Sequence, residues 1–427
     1  MIQLLIAAVA VSWRNQKASA GYVRCSANPL AKAGLYHADE KLFETSIGDP
    51  DVHYNNATAT WHAFWSAGLA TSYAAPMTAM GIKHAVSTDG VNFTVSTEPV
   101  LRTGTDAAAW DHSKAETPTV VRLPSSVATP ERQWLMLYSG GNDQAARPPG
   151  VAYTWYQLGA AFSSDGETFQ KLPANESPYA NTSTPFGAGS LEGLVLLGRD
   201  VFPGVRGGIA YGLAADPELV VDPDGKTLHC FMSSGATDSS GTFLKYGVSH
   251  AVSLDGGVHW SASPGNPVLS GPRGPSVIRA AATATQSPTW QLYFLQDTAA
   301  DLATIPTTFN PEVGVWTASA SSLYGPWTRS RAGAGAGGRE VSWSEAAPAE
   351  SLGWIATGDM AQHAPRGERR WYYVAFDPTP PIIAGWVAPV HTTPEHPLGY
   401  APAMIALSMM HRDLDGGAEA SSGGAGT

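Results

Sequence analysis

The chain has 427 residues, and its 25 lysines and arginines against 36 aspartates and glutamates give a formal net charge of −11. This acidic balance excludes a general nucleic-acid binder, which presents a basic surface to phosphates. Glycine (45) and proline (32) accompany 14 Trp, 15 Tyr and 12 Phe. Such a composition is typical of many turns joining short aromatic strands, and it argues against a helical bundle, a coiled coil or a multi-span membrane protein.

The N-terminal residues 1–20 predict a signal peptide. The apolar run Ile2–Trp13 is too short to span a bilayer, and Ala18-Ser19-Ala20 matches the small-x-small pattern of a signal-peptidase site. A buried N-terminal strand is the alternative, and the absence of Lys or Arg before the run favours it. We expect cleavage, and therefore a secreted, extracellular protein.

Other local features agree with secretion. Four N-glycosylation sequons begin at Asn56, Asn92, Asn175 and Asn181. Cys25 and Cys230 are the two cysteines, and they form either one bridge in an oxidising compartment or two separate thiols. Residues 413–427 are rich in Gly, Ala and Ser, which predicts a disordered tail.

The middle of the chain repeats one strand-and-turn motif. An alternating strand ends in Ser-x-Asp-Gly and then an aromatic residue in Gly81–Phe93, Gly159–Phe169 and Gly247–Trp260. A degenerate copy, Gly314–Trp327, has Gly-Pro-Trp in the turn. Alternation with period two predicts a strand, and Asp-Gly predicts a tight turn.

Two further strands precede each copy, and the first of them opens with a proline motif. The pairs are Asp49-Pro50, Thr117-Pro118, Asp216-Pro217 and Gly274-Pro275, and a fifth unit lies within 355–409. Each unit is one antiparallel sheet, and five such sheets bury both faces when they pack radially. We therefore predict an all-β, five-bladed β-propeller over residues 21–412, with blade boundaries near 102, 185, 270 and 335, almost no helix, and a surface loop at 331–339. Two unrelated β-sandwiches are the alternative.

The inner strands of a propeller line its channel, so the residues before the prolines should meet at one mouth. Asp49, Asp216 and Glu116, the neighbour of Thr117, would then converge. Carboxylates held close together shift one another's pKa values, which acid/base cleavage of a glycosidic bond requires. We predict that these three residues are catalytic. A strand-end cap or a turn is the alternative role for each acid alone.

Five further residues are predicted to bind substrate at the same mouth. The aromatic one is expected to stack on a sugar face, although a position in the core is its alternative. The histidine has a buried structural role as its alternative. The set is Trp110, Asp111, Arg273, Asp359 and His363.

Several of these motifs together resemble the five-bladed propeller glycoside hydrolases. They are the Asp-Pro strand openings, the Ser-x-Asp-Gly-x-x-aromatic turns, Asn266-Pro-Val-Leu269 and Gly325-Pro-Trp327. The resemblance covers most of residues 45–411 and is closest in style to glycoside hydrolase family 43. It implies a glycosidase in which Asp49 is the general base, while Asp216 orients the site and tunes the pKa of the acid.

The sequence departs from that pattern in the fourth unit. The resemblance implies a general-acid Glu just before Gly274-Pro275, but Arg273 stands there. Arginine does not donate a proton at neutral pH. Either Glu116 supplies the proton, or the protein is a non-catalytic carbohydrate-binding propeller.

A sialidase is the rival enzyme, because the segment Ser253–Trp260 matches a turn found in that family. Sialidases grip a carboxylate with three arginines, and no arginine opens the first three units. The sequence thus predicts a secreted, monomeric glycosidase with a carbohydrate substrate and with no nucleic-acid or membrane partner. It predicts no catalytic metal or cofactor, and it leaves open a structural ion in the channel.

Overall fold

A computed structural model describes residues 23–24, 31–32, 36–37, 42–70, 79–143, 155–182, 184–186, 190–205, 208–280, 289–296, 314–329, 339–342, 355–360, 368–377, 391–393, 396–400 and 404–413. In the strands before Gly48 and after Arg329, the backbone alone is described. Cys25, His363 and residues 1–20 lie outside the described residues.

These residues form 28 strands and one four-residue 3-10 helix, Gly198–Val201. The strands in chain order are β1 Val23–Arg24, β2 Ala31–Lys32, β3 Tyr36–His37, β4 Leu42–Asn55, β5 Thr60–Ala70, β6 Ala79–Ser87, β7 Thr94–Val95, β8 Leu101–Arg102, β9 Lys114–Arg122, β10 Trp134–Gly141, β11 Gln157–Ser163, β12 Gln170–Lys171, β13 Leu194–Leu196, β14 Tyr211–Val221, β15 Leu228–Thr237, β16 Phe243–Ser253, β17 Ser261–Ala262, β18 Leu269–Ser270, β19 Arg273–Arg279, β20 Trp290–Gln296, β21 Gly314–Ala320, β22 Thr328–Arg329, β23 Arg339–Ser342, β24 Ile355–Met360, β25 Glu368–Asp377, β26 His391–Thr393, β27 His396–Tyr400 and β28 Met404–Asp413.

Four sheets follow one plan, and we call them the first to fourth blades. An inner strand, a second strand and a third strand pair in order, and two short outer strands share the edge of the third. The orders are β4-β5-β6-β7 with β8, β9-β10-β11-β12 with β13, β14-β15-β16-β17 with β18, and β19-β20-β21-β22 with β23, and the short β3 adds to the first blade beside β4. The second and fourth blades end later than predicted, at Leu196 and Ser342, because β13 and β23 extend them.

The inner strands contact one another in a ring. β4 contacts β9, β9 contacts β14, β14 contacts β19, β19 contacts β24, and β24 contacts β4. Three apolar clusters fill the spaces between the first and second, second and third, and third and fourth blades. The predicted all-β propeller arrangement is confirmed, because radial packing of sheets around an axis defines it.

The structure shows four complete blades of contiguous strands, rather than the predicted five. The last large sheet has the order β1-β28-β25-β24, with β2 beside β28. Its edge strands therefore come from the start of the chain. The repeat could not reveal this pairing, because β1 and β28 are separated by almost the whole sequence.

The repeated turns have one hydrogen-bond pattern. In the first blade the Oγ of Ser87 donates to Asp89 Oδ1 (2.8 Å), and that oxygen accepts the N–H groups of Val91 and Asn92. Ser163–Asp165 and Ser253–Asp255 repeat the pattern in the second and third blades. The Ser-x-Asp-Gly motif is thus a local turn, as the sequence predicts.

Two further predictions concern the cysteines and the membrane. Cys230 is a free, fully buried thiol between the second and third blades. In the part of the chain that the structure describes, no helix has the length and hydrophobicity of a membrane span.

Candidate active site

Each inner strand bulges at its proline motif. The pairing register shifts there in all four blades, between Gly48 and Asp51 in the first. The residue before each proline has a left-handed backbone, with φ of 51° at Asp49, 49° at Thr117, 48° at Asp216 and 56° at Gly274. For residues other than glycine this conformation costs about 1 kcal/mol or more. Bulges re-aim side chains, and here the same bulge recurs at one end of the channel.

One cavity joins these four bulges. It holds about 370 Å³, including its open mouth, and its lining is the four residues before the prolines, the prolines themselves, Asp51 and Glu218. The convergence of Asp49 and Asp216 on one mouth is the arrangement that the sequence predicts. No group of three or more His, Cys, Asp or Glu side chains in the described residues is arranged to hold a metal ion.

Three serines connect the bulges of neighbouring blades, and we call Ser66, Ser139 and Ser233 the mouth serines. They stand at the same register position of the second strand in the first three blades. The backbone N–H of Thr117 donates to Ser66 Oγ (2.7 Å), and that of Asp216 donates to Ser139 Oγ (2.9 Å). The N–H of Gly274 donates to Ser233 Oγ in the same way (2.8 Å).

Each mouth serine also bonds the side chain at the bulge of its own blade. Ser66 Oγ donates to Asp49 Oδ2 (3.3 Å), and Ser233 Oγ donates to Asp216 Oδ2 (2.6 Å). Thr117 Oγ1 donates to Ser139 Oγ. Every mouth serine therefore accepts from the next blade and, in the first and third blades, orients a carboxylate. Leu295 has this register position in the fourth blade, so the pattern does not continue there.

Asp216 is a half-buried carboxyl in the cavity wall. Burial raises its pKa above the ordinary value, while the Ser233 hydrogen bond and the positive charge of Arg273 act against that rise. Arg273 itself is exposed at the mouth. The predicted position of Arg273 near the site agrees with this electrostatic contact.

Glu116 lies beside the same cavity and bonds a residue that sequence reasoning missed. Tyr156 Oη donates to Glu116 Oε1. Burial raises the pKa of Glu116, as does the negative charge of Asp216, whereas Lys114 and the Tyr156 hydrogen bond lower it. The charges of Glu116, Asp49 and Asp216 all help to hold the pKa of Tyr156 well above its usual range, after burial as the main cause. Tyr156 is therefore close to all three acids.

Glu116 and Arg273 are register equivalents. Glu116 pairs with Ser139 just before the bulge of the second blade, and Arg273 pairs with Leu295 just before that of the fourth. The position at which the sequence lacks the expected Glu thus carries a Glu two blades earlier.

A second row of polar residues follows the prolines and was also missed. Asp51 Oδ2 accepts the N–H of Val120 (3.1 Å), and Glu218 Oε1 accepts that of Val277 (3.1 Å). Burial raises the pKa of Asp51 to about 8. These side chains connect adjacent inner strands. The signal was an acid directly after each of two Asp-Pro pairs.

Trp110 and Asp111 belong to the core, so their predicted role in binding substrate is wrong. Trp110 is 0% exposed, and its Nε1 donates to Glu192 O (2.7 Å). Its ring covers Gly140, where a Cβ would lie 2.5 Å from ring carbons. Asp111 is 1% exposed and pairs with Lys171 Nζ at 2.5 Å. Because Gly140 and Gly159 on the neighbouring strands have no side chains, the Trp110 ring has space in the core.

The fifth-unit residues are less fully described. Asp359 pairs with Tyr372, one residue beyond Gly358, where the shift in register of the last sheet ends. The other four inner strands have buried or core residues at that position, namely Val52, Val120, Leu219 and Val277. The register therefore does not place Asp359 at a bulge, and His363 lies outside the described residues.

The four sequon asparagines are all exposed. The amide that would carry a glycan at Asn92 donates to Asp89 Oδ2 (2.7 Å) in the folded turn. Glycosylation of these residues stays a prediction.

No family model matches the sequence, and no curated protein matches it. Solved structures do match. The protein BT0996, in a complex with RGII, is 13% identical, with a TM-score of 0.52 and coverage of 89% of this protein and 90% of that one. A glycosyl hydrolase from Bacteroides ovatus is 14% identical, with a TM-score of 0.50 and coverage of 91% and 93%. A fructofuranosidase from Schwanniomyces occidentalis, complexed with fructosylnystose, is 12% identical, with a TM-score of 0.50 and coverage of 90% and 58%. At these identities the likeness establishes the fold alone.

Proposed function

We propose that the protein is a glycoside hydrolase that cleaves a glycosidic bond at the mouth of its channel. The observation that carries the proposal is that Asp49 and Asp216 line one cavity, while Glu116 directly precedes the cavity-lining Thr117 and accepts a hydrogen bond from Tyr156. Paired carboxylates in unequal environments are what this reaction needs. The fold shared with glycosidases supports the same conclusion.

In this mechanism Glu116 is the general acid and Asp49 the general base. Glu116 donates its proton to the leaving sugar oxygen, and burial, which raises the pKa of Glu116, favours the protonated form that this step needs. Asp49, oriented by Ser66, takes a proton from a water that attacks the anomeric carbon. Asp216 supports the acid by its charge, because a neighbouring carboxylate favours the protonated form of Glu116. Arg273 binds a substrate hydroxyl or carboxylate.

The second candidate is a carbohydrate-binding propeller without catalysis. The observation that favours it is exposed Arg273 at the position where a family 43 glycosidase would carry its acid. Both candidates place a carbohydrate at the same mouth, so only turnover separates them.

Three wider features belong to the proposal. We take the last large sheet as the fifth blade of the proposed propeller, and the contacts of its inner strand β24 with β19 and β4 support this assignment. The protein is secreted after removal of residues 1–20, and it acts as a monomer.

The deciding experiment is a screen of the purified protein on nitrophenyl glycosides and on plant and algal polysaccharides, with calorimetric binding in parallel. Asp49→Asn should abolish turnover of every substrate that is cleaved. Glu131→Gln is the matched control, because Glu131 is exposed in the loop between β9 and β10, at the far end of the inner strands. Binding without cleavage would replace the hydrolase with the binding protein, and neither binding nor cleavage would reject both.

A further inference from the structure

A second cavity opens on the same end of the propeller as the candidate active site. It holds about 480 Å³ and lies where β10 ends and where β11 and β14 begin. Glu116, beside the mouth, pairs with Ser139, two residues before β10 ends at Gly141. The mouth and the second cavity are therefore at the same end of the propeller. Three aromatic residues from separate segments line the cavity, namely Trp155, Phe186 and Tyr211.

The buried side chain of Gln157, which lines this cavity, links three segments by hydrogen bonds. Gln157 Nε2 donates to the carbonyls of Trp155 (3.1 Å) and Gly212 (3.0 Å), and its Oε1 accepts the N–H of Gly198 (2.6 Å). Gly198 and Gly212 are in backbone contact, since a Cβ on either would lie within 2.3 Å of the other's atoms. A site on such fixed elements is preorganised for a ligand.

The segment Trp155-Tyr156-Gln157, which leads into β11, connects the two cavities. Trp155 and Gln157 line the second cavity, and Tyr156 between them bonds Glu116 beside the first. Successive residues of an extended strand project to opposite sides, which explains how one segment serves both. Arg199, 46% exposed, stands on the rim of the second cavity.

We infer that this second cavity is a sugar subsite, which holds a further unit of the oligosaccharide that is cleaved at the mouth. The partly exposed rings of Phe186 and Tyr211 would pack on the apolar face of a sugar ring, and the Arg199 guanidinium would donate to its hydroxyls. The inference rests on the proposed function for the identity of the ligand. An acidic sugar unit would add a carboxylate for Arg199.

The test compares long with short ligands. Tyr211→Ala and Phe186→Ala each remove one partly exposed ring, while Arg199→Ala changes only a rim side chain and so keeps the test valid if an aromatic variant misfolds. Tyr324→Ala is the control, because Tyr324 is a 61% exposed aromatic residue in the turn at the other end of the fourth blade. The probes are arabino-, xylo- and fructo-oligosaccharides of two to six units and oligogalacturonides, with the nitrophenyl monosaccharide as the short ligand.

For each subsite variant, the ratio of KM for the longest cleaved oligomer to KM for the nitrophenyl glycoside should rise about tenfold. Tyr324→Ala should keep the wild-type ratio. An unchanged ratio in all three subsite variants, with activity present, would overturn the subsite and leave the hydrolase standing. If the protein cleaves nothing, calorimetry decides: oligomer binding that weakens in Tyr211→Ala keeps the subsite, and binding that does not weaken rejects it.

Discussion

The odd and even blades share a backbone and differ in chemistry. The first and third blades place Asp49 and Asp216 at the bulge, with a small residue just before it. The second and fourth place uncharged Thr117 and Gly274 there, with a charged residue, Glu116 or Arg273, just before it. All four bulges have the same left-handed φ, so the geometry comes from the repeated strand and not from the acids. A propeller can therefore change its site chemistry one blade at a time.

The same alternation continues inside the blades. The first blade stacks His62 on His84 with ring centroids 5.2 Å apart, and the third stacks His229 on His250 at 5.1 Å. The register equivalents are apolar in the second blade, Leu135 and Ala160, and neutral in the fourth, Gln291 and Thr317. The odd blades thus carry titratable pairs that the even blades lack.

The largest expected effect tests whether Glu116, in the second blade, supplies the proton to the leaving sugar oxygen. Glu116→Gln should lower turnover of a natural glycoside by about 10²- to 10⁴-fold, because general-acid help is lost. An activated aryl glycoside needs little protonation and should be spared. Steady-state kinetics on both substrates measure the difference.

Because Glu116 and Arg273 are register equivalents, a second substitution at Arg273 should partly rescue Glu116→Gln. Adding Arg273→Glu to Glu116→Gln places a carboxyl at the equivalent position of the fourth blade, and it should recover part of the lost turnover. Natural-substrate turnover that stays at the wild-type level in Glu116→Gln would show that another residue is the acid.

The blades with stacked histidine pairs should lose stability at acid pH, whereas the blades without such pairs should not. Burial lowers the pKa of His62 to about 4 and that of His84 to about 3. The unfolded chain takes up protons near pH 6.5 and the folded chain does not, so the free energy of unfolding falls as pH drops below 6.5. Each histidine contributes a loss of about 2 kcal/mol by pH 5.

The second blade supplies the matched replacement. His62→Leu with His84→Ala installs the residues found there, and it should flatten the pH dependence of urea unfolding between pH 6.5 and 5. Equal slopes for the variant and the wild type would contradict the lowered pKa values.

The mouth serines should act through the carboxylates of the odd blades. Ser233→Ala removes a donor that lowers the pKa of Asp216, so this pKa should rise further above its ordinary value. The acid limb of the pH–rate profile then moves to higher pH, because Asp216 must be ionised. Ser234→Ala is the control: Ser234 also loses hydrogen bonds, to Gly247 O and Ser249, but none at the mouth. An identical profile in both variants would make the serine merely structural.

The smallest effect concerns Tyr156. Tyr156→Phe removes a hydrogen bond that favours the ionised form of Glu116, so the pKa of the acid should rise. The alkaline limb of kcat/KM should shift to higher pH by less than about one unit. A shift to lower pH would show that the hydroxyl does not stabilise the carboxylate.

Local features were predictable from the sequence because their causes are local. Alternation with period two predicts the strands, Ser-x-Asp-Gly predicts the turns, and the residue-proline pairs predict the inner strands and the meeting of Asp49 and Asp216. The strands and turns depend on neighbours only a few residues away. The meeting of Asp49 and Asp216 was predictable because the repeat places them at equivalent positions of two blades.

Tertiary structure alone decided what depends on distant residues. The Ser66 bond reaches Thr117 across 51 residues, and the Ser139 bond reaches Asp216 across 77. Trp110 turns inward because glycines on other strands leave room, and Tyr156 reaches Glu116 from the far side of a blade. The start of the chain completes the last large sheet by pairing with its end. No pattern within a short window encodes these contacts, since they arise only when the blades close around a common axis.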